Sequence, residues 1–241
     1  ESRGVQNITA YTRRDRHRPK RDTFVGMLPP KLAQIMLNLA LGARMEICQT
    51  STGKDAPRPS SNHLLHVECI RQRRPQNHRP VEEIGDQPVT ILDPFCGTGT
   101  VLQEALLRGC DVVGSDLSQK MVDYTTENLS WLQSTFTAPG NVIDIHQADA
   151  TTHHWPNSES LTAVVCETYL GQPFSAPPAP QKLAAVVSNC NHIITSFLTN
   201  IRPQLAPNTP LCIAVPAWYD ASGRATHLPL IKNLQQLGYY Q

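Results

Sequence analysis

The chain has 241 residues and carries 21 Lys and Arg against 20 Asp and Glu, a net charge of +1, so bulk charge offers no attraction to nucleic acid and only a local cluster can. No apolar run approaches the ~20 residues a bilayer crossing needs, and the basic start of the chain lacks the apolar block of a signal peptide; a cytoplasmic chain with no membrane partner is expected. Seven cysteines without a Cys-x-x-Cys pair read as reduced buried thiols, which excludes a disulfide framework and leaves the Asn7 and Asn128 sequons without meaning.

Length allows one large α/β domain with a short appendage. Residues 13 to 22, RRDRHRPKRD, hold six Arg or Lys in ten positions, and the plain reading of such a run is a solvated linker. Leu32, Ile35, Met36, Leu39 and Ala40 then recur at helical spacing behind Pro29 and Pro30, which suit a helix start. Residues 43 to 88 contain five prolines and only short apolar runs, so an irregular insertion is expected there. Cys48, His63, His66, Cys69 and His78 fall inside it. A helix would put His63, His66 and Cys69 on one face, as a zinc site needs, but no Cys-x-x-Cys knuckle supports it. A surface loop is the reading adopted, and no metal is expected.

The segment from Thr90 to Asp116, TILDPFCGTGTVLQEALLRGCDVVGSD, is the centre of the chain. An apolar run ends in Asp93, a glycine turn follows from Cys96 to Gly99, a helical pattern runs from Val101 to Arg108, and a second strand closes on Asp116. In such a βαβ unit the glycines admit close backbone approach, the helix start offers free N–H groups, and a carboxylate ending the second strand can hold a ribose diol. A nucleoside ligand is therefore expected. Leu102 stands where a dinucleotide fingerprint needs its third glycine, which disfavours NAD.

Beyond Asp116 the pattern alternates. Ser118 begins a helix reaching about Leu132, Val142 to His146 reads as the third strand with Asp149 and Ala150 just after it, and Leu161 to Cys166 as the fourth, followed directly by Glu167-Thr168-Tyr169-Leu170-Gly171. A proline-rich loop leads to a helix from about Gln181 to Ile201, a fifth strand from Leu211 to Val215, and a last helix from His227 to Leu237. The chain opens on Glu1 and stops at Gln241, where another strand is due, so a fragment lacking about two strands is expected. Asp93, Asp116, Asp149 and Glu167 are the acids delivered to the carboxyl ends of successive strands, where ligands of open α/β sheets bind.

Asp93-Pro94-Phe95-Cys96-Gly97-Thr98-Gly99-Thr100 resembles the first motif of S-adenosylmethionine-dependent methyltransferases, especially those that methylate base amino groups. Arg14-Asp15-x-x-Arg18-Pro19-x-Arg21-Asp22, followed by Gly26 to Ala40, is similar to the segment preceding the catalytic domain of THUMP-associated tRNA guanine-N2 methyltransferases, and the likeness resumes from Ile91 to about Tyr239. The resemblance implies a Rossmann-like class I methyltransferase fold, a doubly wound, mostly parallel sheet. Its expected divisions are 1–42 (basic segment and helix), 43–88 (insertion) and 89–241 (catalytic domain). It implies S-adenosylmethionine as cofactor, with Asp93, the Gly97–Gly99 turn and their neighbours Pro94, Phe95, Cys96 and Thr98 at its methionine end. Asp116 and Leu117 would sit at the ribose, Asp149 and Ala150 at the adenine, and Gly26 to Pro30 beside the methionine pocket.

The implied reaction is methylation of guanine N2 in tRNA, with Arg14, Arg16 and Arg18 on phosphates and a small activating protein of unspecified identity as a further partner. Relatives follow strand four with Asp or Asn, two prolines and an aromatic. Here Glu167 is one methylene longer, both prolines are gone, and Tyr169 comes one residue early. Glu167 and Tyr169 are the expected catalytic residues, as amine acceptor and stacking face, with Phe174 as a substitute aromatic. A DNA or other nucleic-acid amino methylase and a non-catalytic cofactor-binding paralogue remain alternatives.

Overall fold

Strands covered by helices on both faces must be apolar on both, and the central strands of this protein are. The computed structural model describes residues 8–22, 27–42, 63–72, 88–174, 178–219 and 223–240. Its helices are α1 (Ile8–Arg16), α2 (Pro30–Leu41), α3 (Thr100–Leu106), α4 (Gln119–Thr135) and α5 (Pro180–Ile201). Its strands are β1 (His63–Gln72), β2 (Thr90–Asp93), β3 (Asp111–Asp116), β4 (Val142–Gln147), β5 (Ala163–Glu167), β6 (Pro210–Tyr219), β7 (Ala225–His227) and β8 (Tyr239–Tyr240). One sheet runs β4-β3-β2-β5-β6-β1-β8, with β7 paired to the end of β6. The strands from β4 to β6 are parallel, whereas β1 and β7 run antiparallel to β6.

The two-residue period of the strands divides the core between the faces. Ile91, Ala163, Val165, Cys212 and Ala214 pack with α2, α3 and α4 on one side. Leu92, Val164, Cys166, Leu211, Ile213 and Val215 pack with α5 on the other. The cysteines at 96, 110, 166, 190 and 212 are buried. Among the described residues no helix is long and apolar enough to cross a membrane.

Three expectations about the chain's organisation change. The basic run is not a solvated linker, because its first half is the end of α1 and two of its arginines are buried. Every residue of α3 is buried, including Glu104 at 1% exposure, and a carboxylate in that position requires a partner. Arg14 is that partner, donating from Nε to Oε1 at 2.6 Å and from a terminal nitrogen to Oε2 at 3.1 Å, with its guanidinium over the Tyr11 ring. Arg18 donates to Thr100 Oγ1 at 2.6 Å. The amide of fully buried Asn128 bonds both Lys20 backbone groups and the Thr98 carbonyl. The segment is thus stapled to the glycine turn and helix α3. Arg14 and Arg18 are therefore not available to phosphates, and of the three arginines expected there only Arg16 is exposed.

The 43–88 insertion, secondly, contains strand β1, which pairs with β6 from His63 opposite Trp218 to Arg71 opposite Pro210 and buries Ile70 fully. The sheet consequently extends two strands past β6, in β1 and β8. Because His63–Gln72 is extended, the helix that would gather His63, His66 and Cys69 is not formed; Cys48 and His78 lie outside the described residues. No cluster of three metal-ligating side chains occurs among the described residues.

Thirdly, the last expected helix is a 3-10 turn over Pro229–Asn233 between β7 and Gly238, whose φ of +85° turns the chain into β8.

Removing Arg14 takes the counter-charge from the buried Glu104 carboxylate and leaves it the Gln34 amide as a donor. Arg14→Ala is expected to lower the unfolding free energy by about 3 kcal/mol, while Arg16→Ala shifts it by less than about 0.5 kcal/mol. Urea unfolding measures both, and equal small shifts would show that the pair does not hold the segment.

Candidate functional site

The reversal of chain order on either side of β2, with β3 reached one way and β5 the other, leaves a crevice beyond the strand ends. A cavity of about 860 Å³ occupies it. Asp93 ends β2, Asp116 ends β3, Glu167 ends β5 and Asp149 follows β4 by two residues; all four line that one cavity.

The wall under them is the turn between β2 and α3. Gly97 and Gly99 have φ of +53° and +84°, the left-handed region that glycine adopts without strain. The turn is closed by Gly99 N–H to the Cys96 carbonyl at 2.7 Å and by Thr125 Oγ1 to the Gly97 carbonyl at 2.9 Å. Asp116 accepts the Gly97 N–H at 3.0 Å and the Ser118 N–H at 2.9 Å, so one carboxylate ties the first turn to the end of the second strand. The position of Leu102 has a structural answer in Gly114 of β3: a Cβ there would lie 2.5 Å from Leu102 Cδ1 and 2.9 Å from Ile145 Cδ1. The glycine permitting close helix–strand packing sits on the strand instead of the helix.

Charge is distributed unevenly in the cavity. Asp93 is 2% exposed, and burial holds its carboxyl well above the usual range, against the Phe95 N–H that it accepts at 3.1 Å and with Asp116 and Glu167 raising it further. Burial also raises Asp116, opposed by its two backbone donors. Burial pushes Glu167 up to about 7. Asp149 is exposed and held below the usual range by the hydroxyl and N–H of Thr151, at 2.7 and 2.9 Å from Oδ1. Among the described residues no Lys or Arg lines the cavity. Such a wall repels phosphate and gains stability from a cation.

The other expected residues divide. Pro94, Phe95, Cys96, Gly97, Thr98, Leu117, Ala150 and Tyr169 line the cavity with the four acids, as do Met27 and Leu28. Gly99 does not; it caps α3 with its Cα against the Thr125 side chain. Phe174 does not either, being packed into the core and under the Lys182 ammonium. Arg14, Arg16 and Arg18 are not in the wall, and Gly26 lies outside the described residues.

One wall went unforeseen: Asn189, His192, Ile193 and Ser196 of α5. They follow one another at spacings of three, one and three, a single helical stripe beside the buried Cys190, Ile194, Phe197 and Leu198. The interruption of an apolar helix by polar residues at that spacing was the available signal. The loop after β5 is clamped against this helix. Gly171 has φ of +80°, and a Cβ on it would lie 2.8 Å from Val186 Cγ1 and 3.2 Å from Cys190 Sγ. Thr168 bonds the Ala214 carbonyl with both its N–H, at 2.9 Å, and its hydroxyl, at 3.0 Å. Phe95 meets Phe197 edge-on with ring centroids 5.1 Å apart, joining the glycine turn to α5.

The family described as Methyltransferase domain matches residues 91–196. A tRNA (guanine(10)-N2)-dimethyltransferase of Methanothermobacter thermautotrophicus is 32% identical over 130 residues, covering 54% of this chain and 34% of that protein. The ribosomal RNA large subunit methyltransferase K/L of Shewanella amazonensis is 70% identical over 27 residues, 11% of this chain and 4% of that protein. TrmN from Thermus thermophilus aligns in structure over 80% of this chain and 40% of its own, at 19% identity and a TM-score of 0.42. The chain therefore spans about a third of the length of the archaeal relative, and the resemblance to tRNA guanine-N2 methyltransferases read from its motifs is borne out at sequence level.

Gly114→Ala is expected to destabilise the protein by about 1–3 kcal/mol, and by less in a Leu102→Ala background, where the methyl enters vacated space. Chemical denaturation of the four proteins measures the difference, and equal costs in both backgrounds would show that the contact with Leu102 is immaterial.

Proposed function

We propose that the methyltransferase domain at residues 91–196 transfers a methyl group from S-adenosylmethionine to the exocyclic amine of a nucleic-acid base, guanine N2 of tRNA being the substrate that the archaeal relative's name suggests. The observation carrying this reading is the cavity wall: four carboxylates, three of them raised by burial or crowding, and no basic side chain among the described lining. A pyrophosphate would be repelled there. A sulfonium nucleoside fits, because its cation relieves the buried acids, its diol donates to Asp116 and its exocyclic amine to Asp149. When bound, that compound supplies an electrophilic methyl group and nothing further is required of a metal or a covalent intermediate.

The remaining work falls to the chain's own residues. A base amine has its lone pair delocalised into the ring, so its N–H groups must be held on acceptors while the plane is stacked. Glu167 is the acceptor; it can receive the N–H and take the proton that the nitrogen loses once methylated. Tyr169, 38% exposed at the cavity wall, is the stacking face. The two-proline geometry of relatives is replaced by another restraint, the double bond of Thr168 to Ala214 and the seating of Gly171 on α5. Arg16 and Arg13 are exposed on α1 and suit phosphate contact, which is salt-sensitive and sequence-blind.

Incubation of the protein with tRNA and S-adenosylmethionine, followed by mass spectrometry of the nucleosides, is expected to show N2-methylguanosine; ribosomal RNA and DNA serve as parallel substrates, and methylation of either in place of tRNA redirects the assignment. Asp116→Ala is expected to weaken cofactor binding about 10- to 100-fold by calorimetry. Glu167→Gln should leave that affinity in place and cut turnover about 100-fold or more. Because only ionised Glu167 accepts fully, and burial places its pKa at about 7, turnover should rise as pH passes upward through that value. In Glu167→Gln this rise should vanish; an unaltered profile would remove Glu167 from the chemistry.

A further inference from the structure

The stripe on α5 belongs to no part of the cofactor motif, yet it faces the same cavity as Glu167 and Tyr169. At about 860 Å³ the cavity is near the upper end of the roughly 300–1,000 Å³ of ligand pockets, enough for a base beside a nucleoside. Asn189 and His192 are exposed, and neither is committed to a hydrogen bond with another described side chain. The buried face of α5, from Cys190 through Ile194 and Phe197 to Ile201, holds the helix rigidly. Gly171 against Cys190 and Phe95 against Phe197 fix its distance from the strand-four loop and from the glycine turn. The polar stripe is thus a preorganised wall instead of a stretch of solvated surface.

We propose that Asn189 and His192 are specificity-determining residues that read an extruded guanine from the edge opposite the amine held by Glu167. This rests on the function proposed above. Guanine offers donors on its amine side, matching the carboxylate of Glu167, and two acceptors, O6 and N7, on the other edge. An imidazole N–H and a carboxamide N–H donate to those acceptors. Adenine sets a donor, its N6 amine, beside N7, and would meet these donors with one of its own. The pairing of an acid on one wall with N–H donors on the other therefore selects guanine over adenine, and it does so without the Arg that would disturb the cofactor's cationic end.

The test has two readouts on the full chain. In the presence of S-adenosylhomocysteine, guanosine is expected to shift the His192 ring resonances, assigned by comparison with His192→Ala, while adenosine shifts them much less. No shift, or equal shifts, overturns the proposal whatever the turnover. With tRNA, His192→Ala and Asn189→Ala should each lower kcat/KM about tenfold, mainly through KM, leave cofactor affinity unchanged, and His192→Gln, which keeps an N–H donor, should recover much of the loss. Wild-type kcat/KM in both alanine variants overturns the proposal. A guanosine-selective shift in a protein that methylates neither tRNA, ribosomal RNA nor DNA would overturn the function proposed above while supporting guanine recognition by this wall.

Discussion

One carboxylate organises the site. By accepting the N–H groups of Gly97 and Ser118, Asp116 binds the turn after β2 to the turn after β3 and leaves the crevice between them with defined walls. Helix α3 can lie that close to β3 only because Gly114 has no side chain opposite Leu102 of the helix and Ile145 of β4. Close helix–strand packing is the general requirement; whether the missing Cβ is on helix or strand is free to vary. That is why the absence of a third motif glycine says something about the ligand and nothing against the fold.

The electrostatic character of the cavity follows from the same packing. Each parallel strand delivers its last residue to one edge, and in this chain three of those residues are acids taken largely out of water. Unpaired buried carboxylates cost stability unless they are neutralised, hydrogen-bonded or matched by a cation. Backbone donors answer part of that demand at Asp93 and Asp116, and a positively charged ligand would answer the rest. Stability and binding specificity share one cause here.

Residues 8–22 pack on the βαβ unit through paired polar groups. Glu104 sits in a helix buried on every side, and its counter-charge arrives from Arg14, ninety positions earlier. Asn128 joins the Lys20 backbone to the Thr98 carbonyl of the glycine turn. The basic composition of residues 13 to 22 therefore has two meanings at once: Arg14 and Arg18 point inward and hold helix α3 beside the glycine turn, and Arg13 and Arg16 remain outside. Strand β1 likewise enters the sheet beside β6 from a stretch that composition alone presents as a loop.

Sequence alone determined the parts whose causes are local. The alternating apolar runs, the glycine turn with its flanking acids, and the proline-led starts of α2 and α5 lie within a few residues of one another, and hydrophobic period and turn chemistry are read over just that range. It also carried the likeness in the strand-end acids that marks the domain. Only the tertiary structure decided the rest, because each of those features depends on a partner far along the chain. Arg14 and Arg18 are internal because Glu104 and Thr100 are buried; His63–Gln72 is a strand because β6 offers it an antiparallel partner over nine residue pairs. Phe174 packs against the core, and Asn189 and His192 line the cavity, because α5 packs on the sheet against Gly171 and Phe95. A side chain's type announces what it can bond; which neighbour it finds is settled when distant segments pack and exclude water.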